Sequence, residues 1–198
     1  IMKTLKAITL SIIFLFCMQT RAQNLYPSRV KINTELKDSM WYASSNAGIV
    51  QANEGSNEIA FRLDISTIVT DDPNLNPKLA NIEKQYLFFK ASYPTSNLSF
   101  TDTDNESQHD YIGKGFITLN GITKEVGFDC EVYSFNSDDQ FSVGNNVYPL
   151  RIALFFELLP QDFGLDKIYK PLTKVIEIEV SNGLINKTNL GGNTIFPK

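Results

Sequence analysis

The stretch GKGFITLNGITKEVGFDCEV, Gly113 to Val132, reads as a strand, a tight turn and a second strand. Ile117 and Leu119 share a face before the turn, and Val126, Phe128, Cys130 and Val132 share one after it, the period-2 pattern of strands buried on one side. Asn120-Gly121 is the favoured pair for positive φ in a two-residue hairpin, so Asn120 is first of all a turn residue. Gly113 and Gly115 predict a bend, or the close approach of another segment, within the first strand. Strong curvature of that kind is how a sheet closes into a barrel. Almost nothing in the hairpin suits acid–base or metal chemistry.

The same alternation runs through the chain. In Glu58 to Ile65 (EIAFRLDI), Ile59, Phe61, Leu63 and Ile65 oppose Glu58, Arg62 and Asp64. In Arg151 to Leu158 (RIALFFEL), Ile152, Leu154, Phe156 and Leu158 oppose Arg151 and Glu157; in Lys174 to Val180, Ile176, Ile178 and Val180 oppose Glu177 and Glu179. Shorter strands are expected at Val30 to Asn33, Ser39 to Ser44, Ile49 to Ala52 and Leu98 to Thr101, separated by turn clusters such as 53–57. One segment differs: Lys78 to Phe89 places Leu79, Ile82, Tyr86 and Phe89 at helical spacing after Pro77, which predicts a helix. Asn136 to Asn146 lacks periodic apolar residues and reads as a loop.

With 198 residues and no repeat or linker, the chain divides into three expected parts: a leader over 1–22, one domain over 23–185 and a Gly/Asn-rich tail over 186–198. The leader combines Lys3 and Lys6, an apolar run from Ala7 to Met18 that is short for a bilayer span, and small residues around Arg21. It predicts export, cleavage after Ala22, a periplasmic or secreted product and no stable membrane span once cleaved. Bulky Phe16 before Cys17 argues against lipid attachment. Removing Lys3, Lys6 and Arg21 takes the 18 basic residues to 15 against 22 acidic ones, a balance that disfavours nucleic acid as a partner.

The mature chain keeps one cysteine, Cys130, so it forms no internal disulfide, and a lone strand cysteine is normally a small buried hydrophobe. The only histidine, His109, falls in the polar run Thr101 to Asp110, expected as a solvated loop. One His and one Cys make a zinc site improbable. Asp102, Asp104 and Glu106 lack the glycine and closing acid of a calcium loop. Asp162-Phe163-Gly164 and Gly113-Lys114-Gly115 stand without the companion motifs of a kinase or a phosphate loop. No catalytic residue, metal or cofactor is expected, and the chain does not read as an enzyme.

Against this background, Gly115 to Val126 (GFITLNGITKEV) resembles the signature of the YceI-like family, polyisoprenoid-binding, lipocalin-like periplasmic proteins, which runs Gly-x-Leu-Thr-Leu-His-Gly-Val-Thr-Lys-x-Val. Two further segments fall in the family's order: Phe88 to Pro94 followed by Leu98-Ser99-Phe100, and Leu154 to Leu158 followed by Asp162 to Leu165 and the Lys174 to Val180 strand. Asn120 stands where the family usually has His, and the N-terminal strands carry none. The resemblance implies an all-β fold, an extended antiparallel barrel closed like a lipocalin with one short helix, and an apolar interior that holds a long-chain isoprenoid or other apolar lipid. The candidate interior residues are Phe61, Leu63, Ile117, Leu119, Val126, Phe128, Leu154, Phe156, Ile176 and Ile178, with Tyr86, Phe88, Phe89 and Tyr93 proposed to line a mouth near the helix. Alternation identifies a face and not what the face touches, so three readings stand: a carrier or reservoir for a lipid, the same barrel filled and used as an envelope interaction or stress-related module, and a lipid-processing enzyme built on His109. A homodimer is kept among the partner expectations.

Overall fold

The computed structural model describes residues 27–36, 39–53, 57–80, 86–93, 107–134, 141–143, 146–148, 150–168 and 174–185. The expected leader over 1–22, the expected strand Leu98 to Thr101 and the expected tail over 186–198 lie outside them. Strands dominate: β1 (Ser28–Leu36), β2 (Ser39–Asn53), β3 (Glu58–Asp64), β4 (Val69–Thr70), β5 (Tyr86–Ser92), β6 (Ser107–Leu119), β7 (Ile122–Ser134), β8 (Phe141–Val143), β9 (Asn146–Tyr148), β10 (Leu150–Leu158) and β11 (Ile176–Ile185).

The founding hairpin forms as its sequence dictates. β6 and β7 pair without interruption from Ser107↔Ser134 to Leu119↔Ile122, and the turn holds Asn120 and Gly121 at φ 52° and 72°. Two positive values in succession give the turn whose twist matches that of the strands it joins. From there the sheet runs through β5, β3 and β2 on one side and β10 and β11 on the other. It closes because β1 pairs with both β11 (Ile32↔Ile178) and β2 (Ile32↔Ala43). Every pairing around this ring is antiparallel, so the architecture is a closed barrel of eight strands, with β4 added beside the start of β2.

The structure departs from these expectations at five points. The predicted helix Lys78 to Phe89 is a short helix Asn76–Ala80, and Tyr86 to Phe89 belong to β5. The residues Leu87, Phe89, Ala91 and Tyr93 carry a competing alternation, and pairing with β3 and β6 enforces it. A second short helix, Leu165–Ile168, precedes β11. The two short strands expected between Ser39 and Ala52 are one long β2, which passes from β1 to β3 across an irregularity that sets Val30 against Ser45 and Ser28 against Gly48. Such a bulge bends a strand, and here it lets one strand serve both partners. His109 lies on β6 opposite Val132 rather than in a loop, and part of the expected loop 136–146 pairs with the chain beyond it, as β8 and β9.

One end of the barrel is capped. There the 3-10 turn Pro160–Phe163 buries Pro160 and Phe163, and Leu75, just before the helix Asn76–Ala80, is buried as well. The opposite end is where β1, β3, β6 and β10 begin and β5 and β7 finish.

Candidate functional site

The interior is built on the two glycines of the hairpin. A β-carbon at Gly115 would lie 2.6 Å from the ring of Phe89, and one at Gly113 would lie 2.6 Å from the ring of Tyr111. Both rings occupy space that any larger residue would take. From them an aromatic column runs through the barrel. Tyr93 meets Tyr111 edge-on at 5.2 Å, Tyr111 lies 5.7 Å from Phe128, and Phe128 meets Phe89 at 5.1 Å. Phe89 then stacks on Phe156 at 5.0 Å with the planes 5° apart, and Phe156 approaches Phe61 at 6.1 Å.

Nine of the ten candidate interior residues are buried: Phe61, Leu63, Ile117, Leu119, Phe128, Leu154, Phe156, Ile176 and Ile178. Val126 is half-buried against the same core, near the hairpin turn. The four mouth candidates do not assemble. Phe89 and Tyr93 point inward, whereas Tyr86 and Phe88 are half-buried on the outer face, where Arg62 lies over the Tyr86 ring. Tyr86 and Tyr93 also stand at opposite ends of β5, separated by about 3.3 Å for each residue between them.

Phe61, Phe89, Ile117 and Leu154 have 0% of their surface accessible. A side chain without accessible surface has no water-sized gap beside it, so at these positions the barrel is filled by its own residues. Space left by other inward glycines is taken in the same way: Val30 and Phe61 close over Gly48, and Val50 closes over Gly183. Each fully buried aliphatic or phenyl group contributes on the order of 1.5–3 kcal/mol.

Polar groups inside are few and uncharged. Ser28, Thr34, Ser45, Gln51 and Thr70 are the buried polar residues among those described, with no Lys, Arg, Asp, Glu or His. The Thr34 hydroxyl donates to the Val175 carbonyl at 2.8 Å, Ser45 and Thr67 share a hydrogen bond of 2.7 Å, and the Thr70 hydroxyl donates to the Asp72 carbonyl. Among the described residues, three buried side-chain atoms have no hydrogen-bond partner: Ser28 Oγ, Trp41 Nε1 and Tyr93 OH. An unmade bond of this kind costs about 1–3 kcal/mol. Trp41 and Tyr111 were not singled out from sequence. Trp41 sits in the run Met40 to Tyr42, where apolar residues occupy both faces, and Tyr111 adjoins the polar stretch read as a loop.

Among the described residues the interior is apolar and carries no charged group. Burial, followed by the nearby Glu131 and Asp110 carboxylates, pushes the Cys130 thiol up to about 12, so it is no nucleophile at neutral pH. His109 is exposed at the rim, and among the described residues no cluster of His, Cys, Asp and Glu could hold a metal ion. On the outer wall a groove of about 730 Å³ runs past Gly127 and Phe155, bordered by Ile112, Leu159 and several carboxylates. Among the described residues no helix is long and apolar enough to cross a membrane.

The sequence model of a family described as YceI-like domain matches residues 25–182, well over half of the chain. No curated protein matches. Among solved structures, a polyisoprenoid binding domain from Saccharophagus degradans implicated in plant cell wall breakdown is similar, with a TM-score of 0.56 at 9% identity. The likeness covers 79% of this chain and 92% of that one, and at such an identity it speaks for the fold alone.

Proposed function

The chain belongs to the YceI-like family, and on that premise we propose that it binds a long-chain isoprenoid or related apolar lipid inside the barrel, as an exported carrier or reservoir. The observation that carries this reading is the interior itself: a closed ring of strands faced inside by apolar and aromatic side chains, with no charged residue among the described buried ones. Holding an aliphatic chain there needs no reacting group. Each buried CH2 contributes about 0.8 kcal/mol before the costs of ordering and repacking. Because the interior is closed over its own residues, the lipid enters by displacing rings of the aromatic column. Export rests on the leader, whose basic start and short apolar run suit a periplasmic or secreted product.

A second reading has its own observation. The interior residues with 0% accessible surface also suit a barrel that is permanently filled and acts through its outer face, as an envelope interaction module.

Mass spectrometry of an organic extract separates the two. Protein comprising residues 23–198 is exported, purified without detergent and extracted. A stoichiometric long-chain lipid is expected. An empty extract, together with no thermal shift on adding polyprenols, overturns the lipid reading in favour of the filled barrel.

A further inference from the structure

Of the three buried side-chain atoms without a partner among the described residues, two lie towards one end of the barrel, where β5 finishes and β1 begins: Tyr93 OH and Ser28 Oγ. Tyr93 is 1% exposed. Its backbone N–H donates to the Asn57 carbonyl at 2.8 Å and its ring packs edge-on against Tyr111. A buried hydroxyl held this way without an acceptor is rare in a native interior and calls for an explanation. Burial, with Cys130 and Tyr111 beside it, raises the Tyr93 phenol to about 12, which keeps it a hydrogen-bond donor at neutral pH. The third orphaned atom, Trp41 Nε1, belongs to the opposite end, where the 3-10 turn Pro160–Phe163 caps the barrel.

Building on the reading that the barrel holds a lipid, we propose that the head of that lipid lies at the Tyr93 end and is a neutral oxygen acceptor, an alcohol or a carbonyl, which takes the hydrogen bond of the Tyr93 hydroxyl. The tail then replaces rings of the aromatic column beneath it. A phosphate or carboxylate head fits the described surroundings less well than a neutral one. An anion taken out of water needs a cation or several donors, and the described buried residues include no Lys, Arg or His.

The test uses four probes with one polyprenyl chain length: the hydrocarbon, the alcohol, the methyl ketone and the monophosphate. Each is titrated into wild-type protein and Tyr93→Phe. Removing an unsatisfied hydroxyl should leave the melting temperature of the ligand-free variant unchanged or raised, which establishes that it is folded. The alcohol and the ketone should bind wild type more tightly than the hydrocarbon or the phosphate, and the tighter of the two identifies the head. Tyr93→Phe should weaken both by about tenfold, the scale of one lost hydrogen bond, and leave the hydrocarbon unaffected. Equal binding of the alcohol and ketone by wild type and variant, or tightest binding of the phosphate, overturns the assignment of the head while the lipid reading stands. Failure of all four probes to bind overturns the lipid reading, and the assignment with it.

Discussion

The side-chain amide of Asn120 donates to the backbone carbonyl of Phe163 at 3.1 Å, joining the β6–β7 turn to the 3-10 turn that caps the barrel. Asn120 thus serves twice, since it also adopts the positive φ that the turn demands. Asn120→Gly keeps the backbone and removes the bond; Asn120→Ala loses both. We expect thermal unfolding to show a loss of about 1 kcal/mol for Gly and about 2–3 kcal/mol for Ala. No loss in Asn120→Gly would mean that the bond to Phe163 contributes nothing, and equal losses in the two variants that the positive φ does not strain alanine.

Two glycines of the same hairpin should respond in opposite ways. Alanine at Gly115 meets the Phe89 ring at 2.6 Å and the Ala91 β-carbon at 3.0 Å, whereas alanine at Gly127 meets nothing within 4 Å. Gly115→Ala should cost about 1–3 kcal/mol by overpacking. Gly127→Ala should be neutral or stabilising by up to about 1 kcal/mol, because it restricts the unfolded chain. Denaturant midpoints measured side by side decide the point.

The hairpin and its glycines were legible in the sequence because period-2 alternation, an Asn-Gly turn and inward glycines all point to one local structure. Segment 86–93 was not. Leu79, Ile82, Tyr86 and Phe89 fit a helix, and Leu87, Phe89, Ala91 and Tyr93 fit a strand, so Phe89 satisfies both patterns. Pairing with β3 and β6, which are remote in sequence, decides between them. His109 was misplaced for a related reason: the start of β6 is polar, and its strand character comes from partners on β7. The candidate interior was legible as a face. Its filling was not, because packing inside the barrel depends on which ring stands over which glycine.

Stability should fall at alkaline pH through two buried acids. Cys130 is raised from 9.0 and Tyr93 from 10.0, each to about 12, chiefly by burial. Their folded-state pKa values lie above the unfolded ones, so the contribution is complete below about pH 9 and is lost as the unfolded chain ionises between there and pH 12. Urea midpoints taken from pH 8 to 11 should decline less steeply in Cys130→Ala combined with Tyr93→Phe than in wild type. Parallel profiles would show that neither group titrates differently on folding.

Phe89 sits at the centre of the aromatic column, against Phe128 and Phe156. Phe89→Ala should destabilise the ligand-free protein by about 3–5 kcal/mol through lost burial and the cavity left behind. If an apolar chain occupies that space on binding, the variant should regain more melting temperature on adding a polyprenyl lipid than wild type does. A smaller gain than wild type would place the chain elsewhere.

The pairing of β1 with β11 has a consequence for synthesis. Lys31 and Glu179, which form an ion pair across that seam, are 148 positions apart in the chain. A ribosome releases the ring from β1 to β10 before β11 exists, so the growing sheet carries two unpaired edges until β11 arrives. Any chain that stops before Ile176 keeps them. Such fragments would seek strand partners in one another, and early termination should therefore yield aggregates rather than a smaller, folded barrel.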